Sequence, residues 1–519
     1  MRIKRDIIIV VLLISLGIIP ITWFKQDYIN GGDFAFPMAP VRGVVANYAD
    51  IWLDRVGTGL VNSRAIPQLP LMALISIAND FGISNSLFER LLFSALFLLS
   101  EIGIYCVVCR LPFGQDKKRI AAFAAVFYML NPFNVIFYWH ILDGMIFAYA
   151  VFPCLLWLYL EWSMRGRFCY LVLFCVTSFF AGYTFSNPLN VLTLWVLLLF
   201  FVFTVNGLGE GAHENGTAIL KKYSMSVMFW AVLNAWWFLP LLGSIRDEYS
   251  GLSATIGTPW DVLAAFSRTT SLLNLMRVGD LYWAFQARIL GDPYYSYGLI
   301  YRSGFFVVIS FLIPVAVFLP LVIRRKNISH PVLVLDLYLA VVCLMFLAKG
   351  SHGPFGKTLY SLIFNLPLLP AFRAPIHKLG VLLSMIYAML FGYGVSSIYL
   401  YLNKIGKTGA VVTVFGIIVL VNGVYSFPLL TGDVIQKGGN YYPSFHVKVP
   451  EEYQDLNKWM HDNGSGYRFY SLPQSDTLNV TYKWEHGYIG ADPGFFLFDR
   501  RGVYGTVHKG AQLPYRMLV

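Results

Sequence analysis

Asp33 stands a few residues beyond the first apolar run and directly behind two glycines, in Asn30-Gly31-Gly32-Asp33-Phe34-Ala35-Phe36-Pro37-Met38-Ala39-Pro40. Glycine lets a backbone approach a ligand closely, so this carboxylate could act as a base toward a hydroxyl. An ordinary loop acid or helix cap is the plainer reading. A second group is cationic: Arg373, His377 and Lys378, within Ala371-Phe372-Arg373-Ala374-Pro375-Ile376-His377-Lys378, open another apolar run. Such cations could grip a phosphate, or simply reach toward lipid headgroups. Asp143, in Trp139-His140-Ile141-Leu142-Asp143-Gly144, could be a second acid or a turn residue ahead of a glycine. Asp247 and Glu248 could bind a divalent metal, Mg or Mn, although no D-x-D pair stands there. Trp52, further along the first loop, is a further candidate for substrate binding. Trp484 and Glu485, with His486 and Tyr488, could stack on and hydrogen-bond a sugar, or the Trp could pack a small core.

Composition says what must position these groups. Of 519 residues 57% are hydrophobic and 13% charged, against roughly a quarter charged in ordinary soluble domains. A water-soluble core of this length could not hide so much apolar surface, whereas lipid can. The net charge of +11 does not indicate nucleic acid, because Lys and Arg sit in short segments between apolar runs, the positive-inside pattern. The six cysteines fall in or beside apolar runs, and Cys106-x-x-Cys109 lacks acidic or His company, so inert thiols are expected rather than a disulfide framework. No Walker loop, Rossmann fingerprint or zinc motif is present.

Apolar runs of about 20 residues, each long enough to cross a bilayer, suggest about eleven spans. They start near residues 6, 90, 120, 145, 168, 188, 222, 303, 331, 376 and 409. Met1–Arg5 and the Lys/Arg of every short turn on the same side predict a cytoplasmic N-terminus, and the first run reads as a retained span rather than a signal peptide. Long outer loops are expected at 25–88, 243–302 and 349–375, and Pro67 to Phe81 reads as an interfacial helix. The membrane domain covers 1–429. The polar remainder, 430–519, reads as a small extracytoplasmic α/β module, with a helix over Glu451–Asn463 and a strand around Arg468 to Leu472. The expected fold is thus a polytopic all-α membrane protein with a small outer module, sited in the plasma membrane.

With the Asp soon after the first span, the Trp–Gly region at Trp52 to Gly59 and the Pro-led interfacial helix, the chain resembles the GT-C glycosyltransferases. The wording Phe36-Pro37-Met38-Ala39-Pro40 is similar to that of the arabinofuranosyltransferase D family within them. Ala371 to Lys378 resembles the FR-x-P-x-K pattern at the equivalent place. Val449-Pro450-Glu451-Glu452-Tyr453, Tyr467 to Pro473, Tyr482 to Gly487 and Arg500-Arg501 follow in the order of that family's post-membrane domain. The resemblance implies a polyprenyl-phosphate sugar donor, a catalytic acid in the first outer loop, and a glycan, glycolipid or glycoprotein acceptor. The family continues into further spans and carbohydrate-binding modules, so its sugar specificity does not carry over.

Three functions follow as expectations. The first is a transferase, with Asp33 orienting or deprotonating the acceptor and Arg373, His377 and Lys378 holding the leaving phosphate. The second is a transporter or flippase of lipid-linked sugar, which would carry ionisable residues in its spans; Glu101 and Asp336 are the sparse candidates. The third is a non-catalytic scaffold of the same fold.

Overall fold

The computed structural model describes residues 2–31, 36–40, 45–53, 60–61, 63, 65–114, 116–139, 144–206, 216–256, 258–279, 288–289, 292–293, 295–301, 303–322, 331–366, 369–406, 408–438, 443–463, 469–470, 480–490, 492–498 and 502–503. In lipid every backbone N–H and C=O must be satisfied within its own segment, so apolar runs become helices. Among the described residues nine helices are long and apolar enough to cross a membrane. They fall where nine of the eleven spans were expected. The fifth and eleventh are shorter apolar helices, Phe168–Phe180 and Gly416–Tyr425. Thirteen residues rise about 20 Å, short of the roughly 30 Å hydrocarbon layer, and after Phe168–Phe180 the 3-10 turn Gly182–Ser186 carries the chain onward.

The bundle is organised around the helix Pro375–Lys404, whose most apolar window is 94% buried, against 22% for the first span, Asp6–Trp23. It packs on Lys117–Met129, Leu312–Val322 and Pro331–Ala348. The first span instead lies against Asn85–Arg110 and leaves Ile7, Ile8, Val11 and Ile14 exposed, as a lipid-facing helix would. One end of the bundle is basic. There Glu161 takes Arg165 at 2.8 Å and Arg110 at 3.4 Å, and Lys118 meets Asp6 at 2.6 Å.

Two expectations change. The loop expected from 243 begins as helix, because Gly216–Ile256 runs on as one element. The second concerns the tail, which is built into the first loop. Tyr28–Ile29 pairs antiparallel with His446–Val447, in the register Tyr28↔Val447 and Ile29↔His446, and Met38 joins Val447, Met460, Val480, Tyr488, Leu497 and Phe498 in one small core. The helix Glu451–Asn463 forms as expected. Phe469–Tyr470 is a strand, parallel to Gly502–Val503.

Candidate functional site

The end of the bundle opposite the basic cluster carries the candidate chemistry. Its first component is the neck of the first loop. Asn30 donates from Nδ2 to the carbonyl of Phe36 at 2.9 Å, tying together the two ends of the five-residue stretch 31–35 that includes Asp33. Asp33 lies outside the described residues, but both stems of its loop are pinned. Asn85 donates from Nδ2 to the carbonyls of Pro37, at 3.0 Å, and Ala39, at 2.6 Å. Ser86 donates to the carbonyl of Asp27, and Arg90 to that of Gln26 at 3.1 Å. The Ile29 amide donates to Glu89 Oε2 at 3.3 Å. On the tail side the Asn30 amide donates to the carbonyl of Phe445 at 2.9 Å.

All four anchors, Asn85, Ser86, Glu89 and Arg90, sit in the first turns of Asn85–Arg110, a helix that Ser84 caps by accepting the Leu87 amide. The apolar run begins near 90 and the expected loop ends at 88, which leaves Asn85 and Ser86 in the loop and Glu89 outside the span. The available signal was the Ser cap followed by Asn85 and Glu89, four residues apart and therefore on one helical face.

The second component leads to Asp143, which is also outside the described residues. The chain up to Trp139 is ordered by an asparagine network. Asn131 donates to the Tyr128 carbonyl at 2.6 Å and accepts the Asn134 amide at 3.0 Å, and Asn134 donates to the Met129 carbonyl at 2.6 Å. A π-helical turn, Asn134–Tyr138, then delivers Trp139. Its indole packs edge-on against Trp23 at 4.8 Å and against Phe93 and Phe97 at 5.2 Å each. The approach to Asp143 therefore rests on the helix that holds the Asp33 neck.

The third component is the mouth of Pro375–Lys404. Proline at the first position suits a helix start, where no amide partner is needed. Arg373, His377 and Lys378 are each partly exposed, and the His377 ring lies edge-on to Phe266 at 4.8 Å. Phe266 belongs to the helix Pro259–Ser267, whose Thr258 and Asp261 form a reciprocal capping box. Gly380 abuts the Phe133 ring, so the segment that delivers Trp139 touches this mouth as well. Beside it, a cleft of about 550 Å³ is lined by Trp260, Ala264, Ser351, Lys357, Thr358 and Ser361.

The other candidates stand apart. Trp52 is exposed, on a short strand pair with Leu60–Val61. Asp247 and Glu248 fall on the helix Gly216–Ile256 and not in a loop, and their side chains lie outside the described residues. Among the described residues no three His, Cys, Asp or Glu side chains gather as metal ligands would. Trp484 is partly buried among Tyr453, Tyr482 and Tyr488, with ring centroids 5.1, 5.9 and 5.0 Å away. Trp484 thus packs the small core, and only part of the indole is available to a ligand. Glu485 is exposed and paired with Lys448 at 2.7 Å, which lowers its pKa below the usual carboxylate value.

His446, on the strand that ties the tail to the first loop, is buried, and neither ring nitrogen has a hydrogen-bond partner among the described residues. Burial, then Lys25, Lys437 and His486, pushes its pKa down from 6.5 to about 4. The folded protein therefore favours the neutral ring. The stability this confers is fully present above the unfolded value near 6.5 and is lost as pH falls through about 4, at a cost of roughly 3 kcal/mol. Hydrogen-exchange protection over 443–449, corrected for intrinsic exchange rates, should fall between pH 7 and pH 4.5. His446→Phe should remove that dependence; an unchanged pH response in this variant would assign it to another group.

Over 96% of its length the chain is similar in structure to 31% of the arabinofuranosyltransferase AftD from mycobacteria, with 14% sequence identity and a TM-score of 0.62. An arginine-to-serine mutant of the same protein gives a TM-score of 0.63 at 14% identity, over 96% of this chain and 33% of that one. The chain thus spans about a third of the length of these structures. No family model and no curated protein sequence matches it. The likeness establishes the fold, which is the one the resemblance implied.

Proposed function

We propose that this chain is a membrane glycosyltransferase that takes its sugar from a polyprenyl-phosphate donor and passes it to a glycan, glycolipid or glycoprotein at the outer face of the plasma membrane. The observation that carries the reading is convergence. The stems of the Asp33 loop, the approach to Asp143 and the mouth bearing Arg373 and Lys378 join through Phe93, Trp139, Phe133 and Gly380 at one end of a fold shared with a glycosyltransferase. The basic cluster at the opposite end supports a cytoplasmic N-terminus and an outer site.

In this reading the acceptor hydroxyl gives its proton to the Asp33 carboxylate as its oxygen attacks the anomeric carbon. The bond from that carbon to the phosphate oxygen breaks, and the polyprenyl phosphate leaves with the electron pair. Arg373 and Lys378 hold the phosphate as its charge develops, and His377 lines the same mouth. Asp143 is the second acid of the site. The exposed part of Trp484, with Glu485, contacts the acceptor glycan.

The test is a panel of polyprenyl-phosphate sugars, arabinofuranose first, given to the purified chain in lipid nanodiscs with extracted envelope glycans. The expected result is acceptor-dependent release of polyprenyl phosphate with the sugar bonded to the acceptor. In proteoliposomes a flippase would instead move the donor across the bilayer with its sugar still attached. That outcome, or no transfer from any donor, would overturn the proposal.

A further inference from the structure

We propose that Glu89 is a positioning residue for the transfer site, fixing the neck from which the Asp33 loop projects; the inference rests on the transferase reading above. Glu89 is fully buried. Its Oε2 accepts the Ile29 amide at 3.3 Å, and its Oε1 has no hydrogen-bond partner among the described residues. The neighbouring Arg90 makes no ion pair with it. Arg90 is turned instead to the Gln26 carbonyl, at 3.1 Å, and lies 5.1 Å over the Phe24 ring. A buried carboxyl without an ion-pair partner is poorly suited to act by charge. What remains is its service as an acceptor for one main-chain amide.

That amide is well chosen. Ile29 immediately precedes Asn30, whose side chain closes the loop on Phe36 and whose own Oδ1 is likewise buried without a partner among the described residues. On its other edge Ile29 is the register partner of His446 in the strand pair with the tail. Glu89 thus holds one side of a two-residue strand whose other side is held by the tail, and the loop leaves from its end. Asn85, one turn earlier on the same helix, holds the returning stem through Pro37 and Ala39. Catalysis requires its groups to be held to a fraction of an ångström, and fixing both stems is the contribution that Glu89 and Asn85 make toward it.

The two variants that separate the roles are Glu89→Ala, which removes the acceptor, and Glu89→Gln, which keeps an acceptor oxygen and removes the charge. With Ala, kcat for sugar transfer should fall at least tenfold with KM for the donor within twofold, and amides over 25–40 should exchange faster. Gln should restore most of both. Exchange over 25–40 unchanged in Glu89→Ala, or a Gln variant as impaired as Ala, would overturn the proposal. Should the Ala variant fail to fold, Asn30→Ala opens the same neck from within, and unchanged exchange there would count equally against it. A wild-type chain without transferase activity would remove the transferase reading, while the exchange measurement still judges the neck.

Discussion

Asp33→Asn is expected to lower sugar transfer by a factor of roughly 10² to 10⁴, the usual contribution of a positioned general base. In activation free energy that is about 3 to 5 kcal/mol. The substitution is nearly isosteric, and the interactions that hold the loop come from elsewhere. Asn30 closes it on Phe36, Asn85 holds its return, and the tail strand supports its entry. Fold and donor affinity should therefore survive while kcat falls, a pattern that marks a group acting in the transition state. Single-turnover transfer with a saturating polyprenyl-phosphate donor measures this directly. Asp143→Asn under the same conditions ranks the two acids, and a larger loss there would transfer the base role to Asp143. Transfer by Asp33→Asn within threefold of the wild type would exclude Asp33 as the base.

The elements that lipid dictates were legible in the sequence, and those made by distant contacts were not. Run length and hydropathy locate the spans because an unsatisfied amide in hydrocarbon is prohibitively costly. Even the two short helices, Phe168–Phe180 and Gly416–Tyr425, lie where apolar runs had been read. Polar residues at a helix start carry no such mark. Asn85 and Glu89 look like loop, yet they are the buried first turns of a span and the support of the candidate site. The same blindness hid the continuation of Gly216–Ile256 past its apolar stretch. Nor does a two-residue strand have a period to detect. The pairing of Tyr28–Ile29 with His446–Val447 joins segments more than four hundred positions apart, so the tail read as a separate module. Of the site, the cationic mouth was visible because Arg373, His377 and Lys378 are near neighbours in sequence. The convergence that gives them a context passes through Trp139, Phe133 and Gly380, which are ordinary apolar or small residues until their contacts are known.

Valine in place of Gly394 is expected to abolish the folded protein, and alanine there or at Gly392 to destabilise it by more than the about 1–3 kcal/mol typical of overpacking. The reason lies in what each glycine faces. A Cβ at Gly392 would run into the carbonyl oxygen of Ile120 and stand 2.9 Å from the Ala124 amide nitrogen; one at Gly394 would meet the carbonyl of Ala316. Those are main-chain atoms of Lys117–Met129 and Leu312–Val322, which cannot rotate aside. Two helical positions apart is about 200° around the axis, so the two glycines let Pro375–Lys404 touch neighbours on opposite faces at once. Close approach through small residues is how membrane helices gain packing when lipid is as apolar as leucine. It also outweighs the roughly 1 kcal/mol that each glycine costs inside a helix. Gly380 provides the comparison, because there the obstacle is the buried Phe133 ring, a side chain whose displacement does not require a main chain to move. Fluorescence-detected size exclusion with a heating series should rank Gly380→Ala nearest the wild type, Gly392→Ala and Gly394→Ala well below, and Gly394→Val without a monodisperse peak. Equal melting of Gly394→Ala and wild type would mean that the two backbones do not meet there. The effect reaches the site because this helix begins at Pro375. A tilt that relieves a clash near its middle swings Arg373 and Lys378 away from Phe133 and the segment leading to Asp143. Gly392→Ala protein that survives purification should therefore bind the polyprenyl-phosphate donor more weakly, whereas Asp33→Asn should bind it as the wild type does.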